Sequence, residues 1–124
     1  MNAVDSSAWL EYFADGPTAS FFAPAIENVE ELLVPAICIY EVFKRVLQQR
    51  GEDDAVQAVS LMQQGTVVDV DAVIAESAAR ISAAERLPMA DSMILAIARA
   101  RGAVLWTQDA HFDGMAGVKY RRKK

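Results

Sequence analysis

The hydrophobic positions of this chain fall into short runs that switch repeatedly between strand spacing and helix spacing. Ala3-Val4 reads as the end of a first strand, stopped by the polar Asp5-Ser6-Ser7. Trp9, Leu10, Tyr12 and Phe13 then recur at helical spacing, and Gly16-Pro17 closes that helix. Residues 18–31 read as a second helix that starts near Thr18 and bends or restarts at Pro24. Leu32-Leu33-Val34 has the unbroken apolar character of a buried strand, and Pro35 suits the start of a helix. That helix spans about 36–50 and puts Ile39, Tyr40, Phe43, Val46 and Leu47 on one face before Gly51 ends it.

Glu52-Asp53-Asp54 opens the next helix with acids at the positive end of its dipole, and the pattern runs to Gln64-Gly65. Thr66-Val67-Val68-Asp69-Val70 alternates as a half-buried strand does. Residues 72–86 form an Ala-rich helix, and a further helix begins at Pro88 and stops at Gly102. The buried strand 103–107 leads to Asp109 and a short helix, and Val118-Lys119-Tyr120 suits an edge strand. Strands alternating with helices predict a three-layer α/β/α sandwich around a mostly parallel sheet with right-handed crossovers. With no repeat, linker or low-complexity block, 1–124 reads as a single domain, and 119–124 as its basic C-terminal end.

Composition narrows the class. At 124 residues, 53% hydrophobic and 23% charged, the chain has the balance of a compact soluble domain with one core. No apolar stretch reaches the roughly 18 residues of a membrane helix; segment 88–101 comes nearest, and Asp91, Arg99 and Arg101 interrupt it. The start of the chain lacks the basic flank and apolar stretch of a signal peptide. The one cysteine, Cys38, excludes an internal disulfide and reads as a small core residue, so a cytoplasmic setting is expected. The net charge of −5 hides an asymmetry: five of the 12 Lys and Arg lie in 119–124, leaving seven against 17 acids over residues 1–118, a balance of −10. So acidic a body repels nucleic acid unless metals or the basic end offset it.

The candidate chemistry lies in four acids: Asp5, Glu41, Asp91 and Asp109. Each has a structural explanation. Asp5 and Asp109 suit helix caps, Asp91 suits a first turn, and Glu41 suits a pair with Lys44 or Arg45. Together they suggest more. Asp5 and Asp109 follow apolar strands, and in a parallel sheet the ligand crevice lies beyond the strand carboxyl ends. Asp91 opens a helix whose Met93, Ile94 and Ile97 mark it as buried. Four carboxylates in one pocket cannot all ionise unless cations share the site, and Mg²⁺ or Mn²⁺ is the usual resolution. Ser6 and Thr107 set hydroxyls beside the strand-end acids, where they orient a carboxylate or satisfy loop backbone.

The segments DSSAWLEYF, PAICIYEVFKRV, LPMADSMILAIA and LWTQDAHF resemble the four signature segments of PIN domains, in order and over nearly the whole chain. The resemblance is closest to the VapC toxins of prokaryotic toxin–antitoxin pairs. It implies that Asp5, Glu41, Asp91 and Asp109 form an acidic quartet holding Mg²⁺ or Mn²⁺, directly or, for Asp109, through water, with Ser6 and Thr107 as supporting hydroxyls. It implies an endoribonuclease acting on RNA, including structured RNA such as tRNA, and a homodimer inhibited by a cognate antitoxin. Lys44, Arg45, Arg121 and Arg122 are candidate RNA contacts, against the alternative of a solvated face and a frayed end.

Cys38 departs from the family, standing where many relatives carry Ser or Thr, and Asp113 is an extra acid that reads as solvated. His111, the only histidine, sits in a turn and reads as exposed or hydrogen-bonded, since a metal-activated water needs no histidine base. Trp9, Tyr12, Phe13, Phe21 and Phe22, at helical spacing, suit a core or dimer interface rather than a base-stacking platform. Two other functions compete. A receiver domain needs an acidic pair after the first strand and a Lys after the last core strand, and neither is present. A non-catalytic PIN-like RNA- or protein-binding module keeps the fold without the cleavage, and a metal-dependent cleavage assay separates it.

Overall fold

The computed structural model describes residues 1–124. Five strands, β1 (Asn2–Val4), β2 (Leu32–Pro35), β3 (Thr66–Val68), β4 (Val104–Thr107) and β5 (Val118–Tyr120), form one sheet in the order β3-β2-β1-β4-β5. Every neighbouring pair is parallel. Six helices cover the sheet: α1 (Ser6–Phe13), α2 (Ala19–Glu27), α3 (Ala36–Arg50), α4 (Glu52–Met62), α5 (Ala72–Glu85) and α6 (Met89–Ala100). The expected three-layer α/β/α sandwich is what forms. No helix is long and apolar enough to cross a membrane.

The central strands explain themselves. Ala3, Val4, Leu33, Val34 and Leu105 are fully buried, as a parallel sheet covered on both faces requires. They join Phe22, Ile94, Leu95 and Ile97 from the helices in one continuous cluster, each large side chain contributing about 1.5–3 kcal/mol by burial. The chain leaves β1 toward β2 and β3 on one side, then returns to β4 and β5 on the other. Between β1 and β4 the strand order reverses, opening a crevice at their carboxyl ends.

Some expected boundaries shift. The expected helix 18–31 divides into α2, with Pro24 inside it, and a separate 3₁₀ turn over Val29–Glu31. The expected strand 66–70 stops at Val68, because its partner Pro35 is the last residue of β2 and Asp69-Val70 has no strand beside it. The helix expected to reach Gln64 ends at Met62, and its last carbonyls are closed by a turn.

The buried face of α3 matches the expected one in part: Val46 is buried and Ile39 and Phe43 pack against the core, but Tyr40 and Leu47 turn outward. Cys38, Val42 and Val46 face the core, while Tyr40 is 62% exposed and Leu47 39%. Ile37 through Tyr40 is apolar all round, so periodicity alone does not choose a face. Trp9 and Phe22 are fully buried, with Tyr12, Phe13 and Phe21 packed against the core.

Candidate active site

Asp5 follows β1 and is the N-cap of α1, its carboxylate accepting from the Ala8 backbone N–H at 3.0 Å. Its own N–H donates to the Trp106 carbonyl, tying it to β4. The Ser7 hydroxyl donates to its carboxylate at 2.8 Å, and Thr107 Oγ1 donates to Oδ2 at 2.7 Å. Thr107 Oγ1 also accepts from the Asp109 N–H at 2.9 Å. One buried hydroxyl thus fixes both strand-end acids. Three donors occupy three of roughly four lone-pair positions on the Asp5 carboxylate, leaving one for another partner.

Glu41 lies on α3, where its Oε1 accepts from the Ser6 hydroxyl at 2.7 Å. It makes no ion pair with Lys44 or Arg45; Ser6 holds it toward β1 instead. Asp91 lies in the first turn of α6, half-buried, and the 3₁₀ turn Ala110–Phe112 brings His111 to it. His111 Nδ1 stands 3.0 Å from Asp91 Oδ2 and 3.2 Å from Asp109 Oδ1. Asp109 caps that turn by accepting from the His111 N–H at 2.9 Å. His111 is both exposed and hydrogen-bonded, as its turn suggested; its bridge between two of the acids was not foreseen.

The four acids share one electrostatic field. Burial pushes the Asp5 carboxyl up to about 7 against its hydrogen-bond donors, with a further push from Asp109. Asp91 is raised first by burial, then by the charge on Asp109, and to a smaller degree by Glu41. His111 is raised by its hydrogen bond to Asp91 and by the charge on Asp109. The Cys38 thiol, whose Sγ lies 3.8 Å from the Val4 carbonyl, is pushed well up, chiefly by burial, and feels Asp5, Glu41 and Asp91 as well. It is a neutral core group behind the acids.

The pocket suits a divalent cation. No Lys or Arg forms an ion pair with any of the four acids; the only cationic partner is the His111 imidazole. Donor atoms of Asp91, Asp109 and His111 lie within 4.8 Å of one another. Oxygen donors with uncompensated negative charge are the donor set that hard divalent ions take.

A cavity of about 790 Å³ opens beside the acids, between α1, α3, α4 and the segment after β4. Ser7 and Asp109 lie on its wall, Leu10, Phe13 and Leu61 give it apolar surface, and Arg45, Arg50 and Lys123 add positive charge. Lys44 does not line it; its ammonium sits 5.8 Å from the centre of the Tyr40 ring. The Arg121 guanidinium lies over Phe21 at 5.7 Å, and the Arg121 N–H donates to the Thr107 carbonyl. Arg122 is exposed, and Asp113 is exposed as expected. Lys119 and Tyr120 belong to β5 and the Arg121 N–H still pairs with Thr107, so the free basic end begins at Arg122. Sequence reasoning missed Ser7, Gln108 and Arg50; the serine pair after Asp5 was the available signal for the first.

The PIN-domain family profile matches residues 3–118. Among solved structures, a toxin–antitoxin complex from Klebsiella pneumoniae is similar at 21% identity and a TM-score of 0.79, covering 96% of both chains. VapC20 of Mycobacterium tuberculosis, described as a sarcin-ricin-loop-cleaving toxin, is similar at 18% identity and a TM-score of 0.77, covering 94% of this chain and 95% of that one. A DNA-bound VapBC from Salmonella typhimurium follows at 17% identity and 0.74, covering 98% of each. These identities establish likeness of fold. No curated protein matches the chain significantly. With the profile spanning nearly all of it, the chain belongs to the PIN-domain family.

Proposed function

From membership of the PIN-domain family, we propose that the chain is a metal-dependent endoribonuclease, the toxin of a toxin–antitoxin pair, cutting RNA phosphodiester bonds with tRNA or another structured RNA as substrate. The observation that carries this reading is the convergence of Asp5, Glu41, Asp91 and Asp109 at the crevice between β1 and β4, with no Lys or Arg paired to any of them. The quartet holds Mg²⁺ or Mn²⁺. When bound, such an ion supplies Lewis acidity that activates the attacking water and offsets charge at the scissile phosphate.

The chain's own residues do the positioning. Thr107 and Ser7 hold the Asp5 carboxylate in one orientation, Ser6 does the same for Glu41, and the Asp109 N–H is pinned by Thr107. Ligands fixed in this way need little reorganisation when the phosphate arrives. Arg45 on the cavity wall, with Lys44, Arg121 and Arg122 nearby in sequence or at the basic end, supplies phosphate contacts to an otherwise acidic surface. The similarity to chains described as toxin–antitoxin complexes supports a cognate antitoxin; a homodimer and a cytoplasmic site of action belong to the same proposal.

The test is sequencing of RNA ends after incubation of the purified chain with total RNA and Mg²⁺ or Mn²⁺. Internal cuts at defined positions are expected, absent with EDTA and absent with a folded Asp109→Asn variant. Absent cleavage by a folded, metal-binding wild type would return the chain to the class of non-catalytic PIN-like modules, and cleavage that persists in EDTA would overturn the metal dependence.

A further inference from the structure

The imidazole of His111 is placed as a ligand atom is placed. Its Nδ1 lies 3.0 Å from Asp91 Oδ2 and 3.2 Å from Asp109 Oδ1. In an octahedral site with bonds of about 2.1 Å, adjacent ligand atoms stand roughly 3.0 Å apart and opposite ones roughly 4.2 Å. All three donor atoms fall within 4.8 Å of one another, the spread of ligands on a single ion. The backbone supports this arrangement, because Asp109 accepts the His111 N–H and buried Phe112 anchors the turn. The ring itself is 58% exposed, so it can adjust by tenths of an ångström without repacking the core.

We propose that His111 Nδ1 is a ligand of the divalent ion shared by Asp91 and Asp109, and that it biases the site toward Mn²⁺ or a later first-row ion over Mg²⁺. Imidazole nitrogen suits first-row transition ions, Mn²⁺ least among them, whereas Mg²⁺ demands oxygen and gains little from it. The proposal rests on the metal-dependent reading above and adds to it a nitrogen donor outside the acidic quartet. The competing role is that of a counter-cation, an imidazolium that balances Asp91 and Asp109 until an ion displaces it. The two roles have opposite signatures: a ligand's loss weakens metal binding, and a competitor's loss strengthens it.

With one histidine in the chain, ¹⁵N-histidine labelling of tag-free protein reports on this ring alone. Pulsed electron paramagnetic resonance of the Mn²⁺-loaded protein is expected to show a nitrogen coupling that changes with the label and vanishes in His111→Ala. In calorimetry, His111→Ala is expected to weaken Mn²⁺ binding about tenfold or more while Mg²⁺ changes less than about threefold. Asp91→Asn, as a control, weakens both ions. Bound Mn²⁺ without histidine coupling, or tighter binding of both ions by His111→Ala, overturns the ligand assignment and leaves the metal-dependent reading intact. A folded wild type that binds neither ion overturns both.

Discussion

Asp5 and Glu11 belong to the same short stretch of chain, one capping α1 and the other inside it, yet their carboxyls are driven in opposite directions. Successive residues at the end of β4 serve them: Thr107 donates to Asp5, and the Gln108 amide reaches Glu11 at 3.4 Å. Asp5 has three hydrogen-bond donors and is still raised to about 7, because it is only 2% exposed and burial outweighs them. Glu11 is lowered, first by the Thr18 backbone N–H at 2.8 Å, because its donors and the charge of Lys123 together outweigh the burial of a side chain that stays partly exposed. Access to water, rather than the number of donors, decides the direction. Asp5 is held in a state that a cation relieves. Glu11 has what it needs, and it fastens the loop after α1, where a Cβ on Gly16 would come within 2.5 Å of its carboxylate.

The largest effect expected to expose this difference is on catalysis. Asp5→Asn keeps the size but loses the charge and turns one acceptor oxygen into a donor, so RNA cleavage should fall by roughly a hundredfold or more. The same variant should unfold at a higher temperature than wild type in EDTA, since a desolvated charge and its repulsion with Asp109 are gone. A folded Asp5→Asn protein with near wild-type cleavage breaks the assignment.

The next effect is on stability against pH, and its sign follows from the raised value. Between about 3.8 and about 7 the folded chain holds a proton on Asp5 that the unfolded chain has released. The associated stability is therefore full below pH 3.8 and is lost as pH rises toward about 7, by at most roughly 4 kcal/mol. Asp91 and His111 are raised too and act in the same direction, so the difference between wild type and Asp5→Asn isolates the Asp5 share. Urea unfolding in EDTA across this range measures it. Equal slopes for the two proteins would show that Asp5 is not desolvated in solution.

Glu11 should behave in the opposite way. Its lowered value means stability that is present above about pH 4.5 and lost as pH falls through the folded value. Glu11→Gln should cost about 1–2 kcal/mol, the loss of charge-assisted bonds to Thr18. No stability change in urea unfolding at neutral pH would show that Glu11 fastens nothing.

Much of this arrangement was legible in the sequence, and the rest was lost for identifiable reasons. The unbroken apolar runs of β1, β2 and β4 and the caps after them put Asp5 and Asp109 at strand ends before any coordinate was known, and 36–50 matched α3. The buried face of α3 was only partly legible, because Ile37-Cys38-Ile39-Tyr40 offers apolar groups in every direction and the choice is made by what the sheet presents. Strand β3 was overextended because alternation continues in Val70 after the ladder partner has ended. The contact of His111 with Asp91 was not legible because it joins residues 20 positions apart, through a turn whose course no local pattern gives.

The smallest expected effect concerns the basic end. Truncation after Tyr120 removes Arg121, Arg122, Lys123 and Lys124 and leaves β5 and all four acids in place. For single-stranded RNA the log–log salt slope of affinity should flatten by roughly 1.4 if two phosphate contacts are lost. An unchanged slope would assign the phosphate contacts to Arg45 and its neighbours alone.

The most direct test of the central claim, that four carboxylates form one ion site, is the melting temperature of wild type, Asp5→Asn, Glu41→Gln, Asp91→Asn and Asp109→Asn with and without millimolar Mn²⁺. An ion that binds only the folded pocket raises the midpoint by mass action. The account expects a clear rise for wild type and a smaller one for each of the four variants. No rise for wild type, or the same rise in all five proteins, would contradict it.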